Sequence, residues 1–583
     1  RIGQYYSISN KWSIGADLGF SHIETFVEKN SPKPERLYSL QARVNLAYQI
    51  NKSLGAFASF GYGQSRYYNR HREYIDKPIF EMGMSVRFKR YEDDYLSLSQ
   101  RTCQQTSLYQ DADSVDISYS SLFAYNLPGF NKKHPWWALM EDVGINVFVQ
   151  SIDRYAFNFE YAKISPSSFW DNVQHGFVWD NDYFSTNQFA HPYHGNLYFN
   201  TARNNGLGFF ASYPYALGGS LMWEFWGETD PPAINDVLST SIGGAAIGEV
   251  MYRTSSLILN DSQRGMNRFL REFAAGVVNP IRAFNRIIHG DAWRVRGRNF
   301  LYHDYKTTPV EASLSIGDHY VADGGSMARG SHNLFFNFKL EYGDPFSEEA
   351  TKPYDYFTAD IRFSFGGQPL VNGIHLLGRL YGKTIYDREE LKVQWGVFQY
   401  FNYYASDSIQ GSSMKNPFEI SETAAFGPGF IFRFPSTGTL SRLEHRIFAD
   451  AIILGGSKSD YYSFLDRDYN IGSGIGIKSD TRLDFDKFGT FSLKIDYYHL
   501  FTWKGYEDKD VSEPNFDAHF LNSQGDKSHS QMFVVNPHFD VNVKQGVSVL
   551  VDGSYYYRKT RYHYYPNVSS HTYEANIGIM YKF

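Results

Sequence analysis

The sequence predicts an all-β transmembrane barrel of about 16 strands, or 18 under one parity argument, with a large α-helical insert filling or capping its lumen. Three observations carry this. Long segments alternate apolar and polar side chains, the connections between them alternate short and long, and 18% of residues are aromatic although the chain is hydrophilic, with a mean hydropathy of −0.43. Strand side chains point alternately to opposite faces, so one face of each segment is greasy and the other wet. Bacterial outer-membrane barrels combine such strands with short periplasmic turns, longer outer loops and aromatic girdles.

The carboxy-terminal strand is the clearest. In "YEANIGIMYKF", Tyr573, Ala575, Ile577, Ile579, Tyr581 and Phe583 share one face, opposite Glu574, Asn576, Gly578, Met580 and Lys582. The preceding segments alternate likewise, placing Val541, Val549 and Val551 on the lipid side and Asp540 and Asp552 on the lumen side. "KQG" is a tight turn, whereas "KGYEDKDVSEPNFDAHFLNSQGDKS" is a long polar loop. Tyr581 and the terminal Phe583 resemble the assembly signal of outer-membrane barrels, so barrel-assembly machinery and outer-membrane lipid are the expected partners and a Gram-negative outer membrane the expected location.

Three zones are expected. Residues 1–90 read as amino-terminal barrel strands, 91–293 as a helical, plug-like insert, and 294–583 as 12 or 13 further strands. Four amino-terminal strands and 12 carboxy-terminal ones give 16; counting "IGQYYSIS" requires a partner before Arg1 and gives 18. The chain opens inside strand-like sequence, which suggests a processed or truncated start.

Within the insert, "HPWWALMEDVGINVFVQSIDRY" has helical spacing, and "SPSSFWDNVQHGF" begins with capping residues. Pro231 and Pro232 mark a helix start before "AINDVLSTSIGGAAIGEVMYRTSSLIL". Gly206–Trp223 carries no charge, but Pro214, two tyrosines and four glycines make it too weakly apolar for a spanning helix. The net charge of −6 leaves no nucleic-acid footprint, and the single Cys103 rules out an internal disulfide.

"HPYHGNLYFNTARNNG", "SLMWEFWGE" and "PPAINDVLSTSIGGAAIGEVMYR" together resemble a family of uncharacterised, Bacteroidota-like Gram-negative outer-membrane proteins defined by a central domain of unknown function. The resemblance spans roughly residues 130–260. It implies a location and supplies no catalytic residues.

Candidate chemistry therefore comes from the residues themselves. On the helix after Pro231, Asn235, Ser239, Glu249 and Arg253 fall along one line as a polar seam, with Glu249 and Arg253 at i,i+4. Gly243, Gly244 and Gly248 allow another helix to approach closely. His191 and His194 share a helical face and are weak candidate metal ligands with Glu224, Glu228 or Asp236, although Pro192 lies between them and no H-E-x-x-H pattern is present. His191, His194, Glu224 and Asp236 are the catalytic candidates; hydrogen bonding in a packed core is the simpler expectation. Glu507, Asp508, Asp510, Glu513 and Asp517 form an acidic loop that could bind Ca²⁺, but without EF-hand spacing a solvated loop is favoured. Two function classes follow: a non-enzymatic transport or gating barrel, or subunit of an envelope complex, and alternatively an outer-membrane enzyme acting on lipid, glycan or peptide.

Overall fold

The structure, a computed structural model, describes five amino-terminal strands, residues 133–295, and residues 308–583 apart from 326, 328, 349, 368, 410–415, 508 and 510–520. Cys103, the first part of the expected insert and most of the acidic loop lie outside these residues.

Strands β1 (Ile2–Ser7), β2 (Trp12–Thr25), β3 (Glu35–Gln49), β4 (Leu54–Tyr68) and β5 (Tyr74–Val86) form one antiparallel sheet in sequence order. A second sheet is a closed barrel of β6 (Val310–Asp323), β7 (Ser331–Tyr342), β8 (Phe357–Phe365), β9 (Val371–Arg388), β10 (Leu391–Ala405), β11 (Glu419–Phe434), β12 (Arg442–Lys458), β13 (Tyr469–Phe485), β14 (Gly489–Thr502), β15 (Ser528–Lys544), β16 (Val547–Tyr562) and β17 (Val568–Lys582). Each strand pairs with its chain neighbour, and β17 closes the ring on β6 through the register Ile579↔Ile316.

The expected 16 or 18 strands are thus corrected to 12. The amino-terminal strands do alternate, but alternation reports which faces differ and not which edges pair. With β17 hydrogen-bonded to β6, the ring has no free edge at which β1 or β5 could join.

The inward and outward faces follow from burial and cross-lumen ion pairs. Ile577 is 60% exposed and Asn576 1%; Val541, Val549 and Ile579 are likewise exposed, Asp540 and Asp552 buried. Arg362 on β8 reaches Asp552 on β16 (3.6 Å) and Glu574 on β17 (3.5 Å), strands across the ring. Lys494 on β14 meets Asp360 on β8 at 3.6 Å, and Arg446 on β12 meets Glu341 on β7 at 2.5 Å. These charged positions therefore face the lumen, and their sequence neighbours face outward.

The helices are α1 (Pro135–Ile152), α2 (Pro166–His175), α3 (His191–Asn204), α4 (Phe209–Met222), α5 (Ile234–Leu238), α6 (Gly244–Ile258), α7 (Gly265–Val278) and α8 (Pro280–Ile288). Wider π turns interrupt them at Asp153–Phe157, Thr186–Ala190, Trp223–Gly227 and Ser239–Gly243. None of the described helices is long and apolar enough to cross a membrane.

The helices do not enter the lumen. Phe199, Phe209, Ala245 and Ala246 share one buried core with Phe357, Ala359, Ile374, Leu376, Phe401 and Tyr403. Those barrel residues alternate with the lumen-facing Asp360, Arg362, His375, Asn402 and Tyr404, so they lie on the outer wall. The expected filling of the lumen is corrected accordingly among the described residues: the barrel interior is lined by its own side chains, and α3, α4 and α6 pack on the outside of β7–β13. Close approach is set by glycine. A Cβ at Gly195 would stand 1.7 Å from the Thr240 carbonyl oxygen, and one at Gly244 would stand 2.5 Å from the Gly195 carbonyl carbon. α3 and the segment running into α6 thus cross backbone to backbone.

Candidate functional site

Two places combine polar groups with room or unusual electrostatics: the lumen, and a buried cluster of acids in the helical layer, the crevice.

The lumen holds a cavity of about 850 Å³ that reaches the turns 486–488 and 545–546. Its wall mixes signs. Lys478 donates to Glu422 (3.0 Å) and Asp450 (2.5 Å), Arg482 pairs with Glu341 (3.0 Å) and Glu311 (2.8 Å), and Lys582 with Asp540 (2.5 Å). On β13 the charges Lys478, Asp480, Arg482 and Asp484 sit at i,i+2 spacing, so they line one face of the strand. Buried charges require such partners.

Toward the opposite end the interior is closed by aromatic side chains. Phe418, which ends the loop entering β11, stacks on Tyr556 of β16 with ring centroids 4.0 Å apart. Tyr404 packs edge-on against Tyr498 and Tyr556 and donates to Asp496 at 3.0 Å. Beside this layer is a pocket of about 40 Å³ between Arg362, Phe418, Tyr556 and Glu574. The interior therefore narrows from a vestibule to a space for about one water molecule.

The crevice gathers the candidates on α3, α5 and the π turns. His191 Nε2 lies 3.7 Å from Asp236 Oδ1, which accepts from Asn235 Nδ2 (2.7 Å); Asn235 Oδ1 accepts from the Asp180 backbone N–H (2.9 Å). Glu224 Oε2 accepts from the Ala233 N–H at 2.6 Å. Pro192 follows directly on the π turn Thr186–Ala190, which closes with the His191 N–H bonding back to the Thr186 carbonyl, so the helix changes its ladder where the proline has no N–H to give. The crevice lies at the barrel rim: the Asp180 carbonyl accepts from Arg467 (2.7 Å) and Asn181 from the Tyr462 hydroxyl (2.7 Å), both in the loop 459–468.

Burial pushes the Glu224 carboxyl up to about 8, reinforced by Asp180 and Asp182. Burial, then Asp180, raises Asp182 to about 7, and the same two causes hold Asp236 well above the carboxylate range. Glu228 is held there by burial and by Glu224. Burial lowers His191. Burial in the crevice thus favours the neutral forms of its acids and of its imidazole.

His194 does not join it. Its ring stacks on Tyr198 and meets Trp223 edge-on, so the two histidines do not converge on one ion. Among the described residues there is no group of three or more side chains able to hold a metal. Glu507, the described member of the acidic loop, accepts from the Lys527 N–H.

The seam divides. Asn235 and Ser239 lie at the crevice, while Glu249 belongs to a separate buried clamp. Arg203 donates to both Glu249 oxygens (2.6 and 2.9 Å), Arg253 donates to Oε1 (2.9 Å), and Arg253 also pairs with Asp355 (3.0 Å) beside the barrel. Sequence reading missed Arg203; its signal was a lone cation on an otherwise neutral helix facing the lone acid of α6. Tyr581 and Phe583 pack edge-to-face and stay exposed, and the Phe583 N–H continues the ladder to the Ala312 carbonyl.

A domain of unknown function, DUF3943, is found at residues 176–281, covering the crevice and the clamp. No curated protein matches the chain. Among solved structures, the chain is similar to the NanC porin (14% identity, 46% of this chain and 100% of that one, TM-score 0.24). It is also similar to the KdgM porin in complex with disordered oligogalacturonate (10%, 46% and 99%, TM-score 0.19) and to OmpT, an outer membrane protein of Vibrio cholerae (7%, 47% and 98%, TM-score 0.20).

Proposed function

We propose that the chain is an integral outer-membrane barrel of a Gram-negative bacterium acting in gated transport, alone or within an envelope complex. The exposed apolar band of β15–β17 supports the location. The single observation that carries the transport reading is the vestibule of about 850 Å³ that reaches Tyr404, which packs edge-on against the Phe418–Tyr556 stack. Its mixed charges suit a small polar or zwitterionic solute, and the aromatic layer is the gate.

The test is conductance in planar bilayers. The intact protein is expected to conduct far less than a general porin, and Phe418→Ala combined with Tyr556→Ala to raise conductance severalfold. A wild-type protein already conducting like a general porin, or a double variant that folds and stays silent, sinks the gate.

A second reading, an enzyme acting on lipid, glycan or peptide, is favoured by the crevice. Glu224, whose carboxyl is raised by burial, and the His191–Asp236 pair could give and take a proton. Three of the four π turns in the described residues border it, and such turns recur at functional sites. Glu224→Gln with normal folding but loss of an envelope modification, read by mass spectrometry, would favour this reading.

A further inference from the structure

We infer that the helical layer is itself immersed in the bilayer, its outer face covered by lipid acyl chains. This rests on the outer-membrane reading above and goes beyond it, because a helical domain beside a barrel could equally stand in water.

The first observation is an inverted pattern. On α1 the buried residues are Ala138, Glu141, Asp142 and Asn146, while Trp136 is 78% exposed and Phe148 65%. A helix on a water-soluble core turns its apolar stripe inward and its charges outward. Here the polar groups turn inward and find partners: Asp142 accepts from Thr201 (2.8 Å), Glu141 from Asn205 (3.0 Å), and Asn146 from the Tyr198 hydroxyl (2.5 Å). α7 repeats the inversion, burying Arg268 against Asp261 and Glu272 and exposing Leu270, Phe273 and Val277. Polar residues within a membrane likewise face the protein interior and pair there.

The second observation is continuity. The barrel wall under the helices is the same outward face that elsewhere presents Ile577 and Val549. α4 lies against it at the level of Gln399, midway along β10, where Tyr213 donates to Gln399 Oε1 (3.1 Å) and Gln399 Nε2 donates to the Ile242 carbonyl (2.9 Å). One turn to either side of Tyr213, α4 exposes Phe210 and Leu217. The helices thus present exposed apolar side chains of their own beside the midpoint of a barrel strand, and the occupant of that face is the hydrocarbon of the bilayer.

The test uses the full chain in proteoliposomes, with Cys103→Ser and single spin labels at Val147→Cys and Phe210→Cys. Val549→Cys is the lipid control and Ser492→Cys, which lines the vestibule, the water control. The expected result is collision with oxygen severalfold above collision with a water-soluble nickel chelate at Val147 and Phe210, matching Val549. Nickel-dominated collision there, with Val549 still oxygen-dominated, overturns the inference and leaves the barrel in the membrane. Nickel-dominated collision at Val549 overturns the membrane reading itself. Shielding from both reagents, with broadening that disappears on dilution with unlabelled protein, shows that a second copy covers the face and also overturns the inference.

Discussion

Replacing Glu249 tests whether the helical layer is held by its clamp. The carboxylate has no solvent exposure and receives three hydrogen bonds from two guanidinium groups, at 2.6, 2.9 and 2.9 Å. Bonds to charged groups contribute about 1.5–3 kcal/mol each, but they do not add, because Arg203 keeps the Leu207 carbonyl and the face of Tyr252 while Arg253 keeps Asp355 and the Pro353 carbonyl. Removing one partner of a buried ionic group costs about 3–5 kcal/mol. The low end of that range applies to Glu249→Gln, which keeps the shape, and the high end to Glu249→Ala. Urea titration in detergent, followed by helical circular dichroism, measures the loss, and the heat-shifted mobility of the barrel on gels shows whether β6–β17 remain closed. A barrel that survives while the helices melt is the expected outcome. A loss below about 1 kcal/mol, as expected for the exposed Glu160→Ala, would refute the reasoning, since the clamp would then be screened by solvent.

The other predictions concern packing, pH and register. Gly195→Val forces a Cβ into the Thr240 carbonyl and should cost at least about 3 kcal/mol, whereas Gly144→Ala on the open face of α1, where a Cβ meets nothing within 4 Å, should be neutral or stabilise by about 0.5–1 kcal/mol; melting curves decide both. Glu224 releases its proton near 4.5 when unfolded and near 8 when folded, so across that window the unfolded state binds fewer protons and helical stability falls as pH rises. The stabilisation is complete below 4.5, and a Glu224→Gln variant whose urea midpoint shows an undiminished pH slope would contradict this. Ile577→Arg on the lipid side should lower barrel stability by about 2–4 kcal/mol, and Ser492→Arg inside the vestibule much less; the reverse order in a urea titration in lipid vesicles would overturn the register.

The inward and outward register of the barrel was legible because it depends on local alternation alone. Asn576 and Ile577 are adjacent in the chain, and only one assignment buries the amide. Strand number was not legible, since β1–β5 alternate like barrel strands and edge pairing is a long-range choice. The placement of the helices failed for a related reason: a 3.6-residue stripe in α1 separates Glu141, Asp142 and Asn146 from Trp136, Val147 and Phe148 without saying which side is inside. A clue lay in β10. "FQYFNYYA" is buried on both faces, and strands covered on both sides read as near-continuous apolar or aromatic runs. Of the site, the seam and the crevice residues were visible as types and spacings, but the separation of His194 from His191 required the ring of Tyr198, and the Glu249 clamp required Arg203 from another helix.

Docking on the outer wall has a consequence for the order of assembly. A domain enclosed by a barrel must be in place before the last two strands join, so closure has to wait for it. Here the seam between β17 and β6 can zip without reference to the helices, because nothing has to be trapped. The surface awaiting them on β8–β10 is apolar apart from Gln399 and is already compatible with lipid. Ring closure and helix docking are therefore separable events, and the helical layer can attach to a finished cylinder.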